Sequence, residues 1–205
     1  MHKTSPDRYK WKRVAPRILA DRLGQRGAAL VELALLLPIL IVMVLGIIDF
    51  GRLIHARLVM TNVSREGGSL GSRDIRVGNQ LVTMLQSSAA PFNLNGAEGR
   101  VYVTKIRAGE SLLEPEPFIH SRATGGTLDV PSGITGSVGD TAGGLQNPIY
   151  GHLRFRAANN TSDISEVTVV EVFYLYRTIT PLPEFIQGLI MPNRGGILIG
   201  SRATF

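Results

Sequence analysis

The chain has no cysteine in 205 residues. Disulfides, a thiolate nucleophile and a Cys-ligated metal site are therefore excluded. Paired catalytic groups are missing too. His2, His55, His120 and His152 lie far apart, with no H-x-x-x-H or H-E-x-x-H spacing. No G-x-S-x-G accompanies the many serines. Glu114 and Glu116 stand in a proline-broken stretch that does not fix an acid–base pair. The glycines between 121 and 148 lack the strand-then-helix setting of a phosphate loop, and Asp129 and Asp140 do not fit calcium-loop spacing. The expectation is a chain that is not an enzyme and uses no metal or cofactor.

Charge is also missing from one long stretch. Ala28 to Ile48 is 21 residues with a single ionisable side chain, Glu32. At about 1.5 Å per residue it makes roughly 31 Å of helix, enough to cross a bilayer core. It holds fourteen Leu, Ile and Val. Their insertion gain, about 0.3–0.6 kcal/mol each, outweighs the roughly 2.5–3.5 kcal/mol for one acid at mid-membrane.

The net charge of +6 is not spread along the chain. Residues 1–27 hold eight of the 22 Lys and Arg against Asp7 and Asp21, and the rest of the chain has fourteen basic and fourteen acidic residues. The excess thus sits just before the apolar run, where the positive-inside rule keeps a segment cytoplasmic. A nucleic-acid arm is the weaker reading, because Tyr9 and Trp11 are the only aromatics in it; no nucleic-acid partner is expected.

A secretory signal peptide has a shorter apolar core, followed by small residues at the cleavage site. Here the small residues Gly27-Ala28-Ala29 come first. That order resembles the class III signal of type IV pilins and pseudopilins, which a prepilin peptidase cuts on the cytoplasmic side of the apolar helix. The string R-G-A-A-L-V-E-L-A-L-L-L-P, followed by G-I-I-D-F-G-R, is similar to the TadE/TadF branch of minor pseudopilins of the tight-adherence (Flp, type IVb) pilus system. The resemblance implies cleavage between Gly27 and Ala28, with Glu32 as fifth residue of the mature chain. It implies prepilin peptidase, other pilin and pseudopilin subunits, an inner-membrane assembly platform and the lipid bilayer as partners. It implies a single-pass protein of the bacterial inner membrane, or of the pilus, with a cytoplasmic N-terminus and a periplasmic or extracellular C-terminal part.

The chemistry of those residues fits. A glycine admits an extended backbone to a narrow protease cleft. The freed α-amine, with a typical pKa of about 7.7–8, is mostly cationic at neutral pH. A carboxylate one helical turn on, in the same or a neighbouring chain, can pair with it and set axial register. The competing reading of Glu32 is a helix-end acid that reaches the interface. Pro38 removes one helical hydrogen bond and is expected to kink the helix.

Beyond the run, Ala56, Val59, Met60 and Val63 repeat at helical spacing, so one helix is expected from Ala28 to about Glu66, ended by Gly67, Gly68 and Gly71. Asp49 and Arg52 are expected to pair on its surface. A second helix is expected over 75–88, stopped by Pro91. Alternation predicts strands over 100–107, 165–177 and 197–205, with a short strand inside 108–120 and one or two helical turns over 184–190. Strand 165–177 is apolar on both faces, which predicts a central strand. The Gly, Ser and Thr-rich stretch 121–148 is expected to be an exposed loop. The fold class is α+β, a long transmembrane helix continuing into a soluble domain with a small antiparallel sheet packed on helices. The expected divisions are leader 1–27, transmembrane helix 28–48, helical stalk 49–73 and extracytoplasmic domain 74–205. The runner-up function is an uncleaved single-pass anchor carrying a binding domain, and the third a signal-anchored enzyme.

Overall fold

A computed structural model describes residues 17–73, 78–157, 161–178 and 195–205, with side chains from residue 27 onward. Helix α1 runs Arg17–Ser72, α2 Gly78–Ser88 and α3 Asn147–Leu153. The strands are β1 (Gly99–Arg107), β2 (Phe118–Gly125), β3 (Glu166–Tyr176) and β4 (Ile197–Thr204). They form one antiparallel sheet in the order β2-β1-β3-β4. The α+β expectation holds.

The chain divides into two compact units, up to Ile47 and from Ile48 onward. The described part of the first is helical, and its apolar side chains are exposed, including Leu30, Leu35 and Ile39. Such a surface is stable only against lipid or other apolar helices. By length and hydropathy this helix qualifies as a membrane span.

The second unit has three layers. On one face of the sheet, Ala56, Met60 and Val63 of α1 and Leu81 and Leu85 of α2 pack on Val101, Val103, Val170, Val172 and Tyr174. On the other, Ile134, Ala142 and Leu153 pack on Ile106, Ile119, Val167 and Val169. Strand β3 lies between β1 and β4 with both faces covered, as its two-sided apolar pattern requires. Each large side chain so buried contributes about 1.5–3 kcal/mol.

Several expectations need correction. Helix α1 does not end at its glycines; it continues to Ser72. A Cβ at Gly67 would lie 2.7 Å from a Leu85 methyl, and one at Gly71 2.8 Å from Thr168 Cγ2. These glycines let α1 press against α2 and β3, and packing outweighs the loss of about 1 kcal/mol each in helix propensity. Stretch 121–148 is a loop only from 126 to 146, and most of that loop is exposed as expected; its start belongs to β2, its end to α3, and Leu128, Val130, Ile134 and Ala142 are buried. Asp49 is buried rather than on the helix surface. The second helix is observed from Gly78, its expected first residues lying outside the described ones, and the expected turns at 184–190 also fall outside them.

Candidate processing and assembly segment

Gly27, Ala28, Glu32 and Pro38 all lie on α1 and, apart from the backbone they share, are exposed. A Cβ at Gly27 would meet nothing within 4 Å. Among the described residues the glycine therefore admits no packed neighbour. Ala28 and Glu32 are four residues apart on one helix, hence on the same face and roughly one turn from each other. An amine at Ala28 would stand within reach of the Glu32 carboxylate. Gly27 is helical, so a protease that requires extended backbone must first open a turn. Glycine makes that opening easier by about 1 kcal/mol relative to alanine. Helix α1 continues through Pro38, whose missing N–H leaves the Ala34 carbonyl without its usual helical donor.

The polar groups of the second unit are arranged to hold the fold. Glu171 is buried in the centre of β3 and accepts from Arg202 Nε at 2.9 Å and Nη2 at 2.6 Å, from Gly133 N–H at 3.1 Å and from the Ser132 hydroxyl. Arg202 also donates to the Gly144 carbonyl at 3.1 Å. Arg122 donates to the Ile134 and Gly136 carbonyls, both at 2.8 Å, and the Tyr102 hydroxyl to Val130 at 2.6 Å. Strand side chains thus clamp the glycine-rich stretch through its backbone. The spacing of Glu171, Arg122 and Arg202 gave no hint of this. The one signal was an acid interrupting an apolar strand face.

At the other end of β3, the Tyr176 hydroxyl donates to the Asp49 carbonyl at 3.1 Å. Burial, then the Asp49 charge, pushes the Tyr176 phenol above its ordinary value. Burial does the same to Tyr174. Glu116 accepts from the Tyr150 hydroxyl, which raises that phenol, and pairs with Arg154 at 3.1 Å. His152 Nδ1 lies 2.9 Å from Asp163, which also meets Arg156 at 3.4 Å. The His152 hydrogen bond is the main cause holding Asp163 below the usual carboxylate range. His152 is about half exposed, and among the described residues no nucleophile completes a triad with it and Asp163. His55 packs edge-on to Phe92. Among the described residues no three His, Asp or Glu gather as metal ligands.

Residues 27–69 match the family model for TadE-like proteins. The match begins at Gly27 and covers the apolar run and the part of α1 that enters the core of the second unit. No curated protein and no solved structure matches the chain.

Proposed function

We propose that this chain is a minor pseudopilin of the tight-adherence pilus, a structural subunit rather than an enzyme. Its leader, residues 1–27, stays in the cytoplasm, and residues 28–48 span the inner membrane. The second unit faces the periplasm or the exterior, and a prepilin peptidase cuts between Gly27 and Ala28. The new amine at Ala28 and the Glu32 carboxylate then set the register of the helix against neighbouring subunits, and Pro38 bends it. The assembly platform and other pilin-like subunits are its partners.

The observation that carries this reading is one of order and spacing. A glycine precedes the apolar helix, an acid follows one turn later, and the family match starts at that glycine.

The test is the mass of the chain recovered from host membranes, with and without active prepilin peptidase. The proposal expects a chain beginning at Ala28 when the peptidase is present and at Met1 when it is absent. An intact leader in both strains would refute processing and leave an ordinary single-pass anchor.

A further inference from the structure

The second unit carries a cavity of mixed charge at its own start. The cavity holds about 260 Å³, and its walls include Arg52 of α1, Phe92 after α2, Glu98 before β1, and Tyr174, Tyr176 and Arg177 where β3 ends. Arg177 Nε lies 3.3 Å from the Glu98 carboxylate, with the two side chains 60% and 39% exposed. A pair this wet adds little to the stability of a fold. The Glu98 carbonyl accepts from Leu175 N–H at 2.7 Å, which holds Glu98 beside the end of β3. Burial first, and then Glu98, raises the Tyr174 phenol, while Arg52 and Arg177 both oppose the rise. The two guanidiniums and the carboxylate therefore act on one hydroxyl and face one space. The Phe92 and Tyr174 rings meet edge-on at 5.3 Å and form the apolar wall of that space, with His55 edge-on to Phe92 behind it.

The charges select what fits. Arg52 and Arg177 are balanced by Glu98 and by the buried Asp49, whose carbonyl takes the Tyr176 hydroxyl. A simple anion placed here meets Glu98, and a simple amine meets two guanidiniums. A ligand that carries both a phosphate and an ammonium satisfies both signs. Guanidinium forks bind phosphate oxygens through paired hydrogen bonds. A primary ammonium has three N–H donors for Glu98 and is favoured over an aromatic face. A trimethylammonium has no N–H to give Glu98, and a glycerol headgroup brings no cation.

Position along the chain selects where that ligand comes from. Ile48 ends the apolar run, and Arg52 is four residues later on the same helix and in the same compact unit. Four helical residues rise about 6 Å, so Arg52 stays that close to the end of the run at any tilt. The polar layer on each side of a bilayer is roughly 5–8 Å deep, and tyrosine is enriched in it. Arg52 thus comes to the depth of lipid phosphates.

We infer that this cavity binds the headgroup of a phosphoethanolamine lipid, with the phosphate between Arg52 and Arg177 and the ammonium at Glu98. The same headgroup chemistry exists in free phosphoethanolamine, and the depth of Arg52 favours the lipid. This rests on the membrane insertion contained in the proposed function, and not on cleavage after Gly27.

The test is native mass spectrometry of the full chain in detergent, titrated with phosphatidylethanolamine, phosphatidylglycerol, phosphatidylcholine or free phosphoethanolamine. A one-to-one complex with phosphatidylethanolamine is expected, tighter than with the other three by about tenfold, or roughly 1.4 kcal/mol. Arg177→Gln and Glu98→Gln, both on exposed side chains, are each expected to weaken that complex by about tenfold. Glu98→Gln leaves the phosphatidylglycerol complex as tight as before or tighter, a split that general loss of the fold would not produce. Arg57→Gln, which removes a guanidinium outside this cavity, leaves every complex unchanged. Equal or tighter binding of phosphatidylglycerol or phosphatidylcholine by the parent chain would overturn the inference, as would parental affinity in both variants. Free phosphoethanolamine binding as tightly as the lipid would move the site to a soluble ligand and overturn the lipid assignment. A chain that begins at Ala28 in its host but lacks this selectivity refutes the headgroup site and spares the pseudopilin reading. An intact leader with the selectivity does the reverse.

Discussion

Glu171 offers the sharpest test of how the second unit is held together. Its carboxylate is buried to 2% exposure and takes four donors from Arg202, Ser132 and Gly133. Glu171→Ala removes all four acceptor contacts at once and leaves the Gly133 amide and the guanidinium without their partner. Breaking a buried pair costs about 3–5 kcal/mol. Arg202 is 32% exposed and regains some water, which places the expected loss near the lower end, about 3 kcal/mol. For a unit of this size that lowers Tm by roughly 6–12 °C. Glu171→Gln keeps the volume and one acceptor, and loses about 1–2 kcal/mol. Thermal unfolding of the full chain in detergent gives the Tm, and amide hydrogen exchange gives the location. Faster exchange is expected at Gly133 and Ile134, the latter because its N–H donates to the Ser132 hydroxyl that Glu171 holds. The amides of α2, on the opposite face of the sheet, are expected to change little below the melting range. If Gly133 is as protected in Glu171→Ala as in the parent chain, or if Tm moves by less than about 2 °C, the carboxylate is not what fastens this stretch.

Gly67→Leu drives a side chain into Leu85 and Val170, and the expected cost is about 1–3 kcal/mol or more in Tm measurements; a neutral effect would mean α1 does not press on α2 there. The phenols of Tyr150, Tyr174 and Tyr176 are held above their ordinary value. Their neutral forms are favoured in the fold, so stability is full below about pH 10 and falls as pH rises through the raised values. An ultraviolet titration should show part of the tyrosines ionising only as the fold opens, and complete ionisation near pH 10 with an intact fold would contradict this. Glu32→Ala is expected to leave processing after Gly27 intact and to abolish piliation, read by N-terminal mass and by pilus counts; normal piliation would remove the register role of the carboxylate.

Much of the fold was legible where one physical rule dominated. The two-sided apolar pattern of residues 165–177 placed a strand in the middle of the sheet, and the 3.6-residue repeat of Ala56, Met60 and Val63 placed their face of α1 in the core. Reading failed where a local rule competed with a tertiary one. Gly67 and Gly71 carry a helix-ending signature, but each sits where a Cβ would strike a neighbour, and sequence alone cannot tell a glycine that ends a helix from one that lets it approach. The glycine-rich stretch had the composition of an exposed loop. It is ordered by Arg122, Arg202 and Glu171, whose partners are backbone groups up to 58 residues away. Backbone partners leave no mark on composition. Asp49 was misplaced for a similar reason, since its cover comes from Tyr176, 127 residues later. The proposed processing segment rests on order and spacing along one helix, a signal that needs no tertiary contact.

That helix also constrains what cleavage would achieve. Before the cut, eight basic residues precede the apolar run. Each would cost about 2.5–3.5 kcal/mol to carry to the centre of a bilayer, which under the proposed function would oppose drawing an uncleaved helix through the membrane. After a cut at Gly27 the remaining chain has as many acidic as basic side chains. The only charges at the head of its apolar run are the Ala28 amine and the Glu32 carboxylate, of opposite sign and one turn apart. Paired, they face a far smaller barrier than the leader did. Helix α1 also supplies Ala56, Met60 and Val63 to the core of the second unit. An uncleaved anchor has no need of a glycine at position 27. Under the proposed function, a subunit drawn from the membrane after processing does.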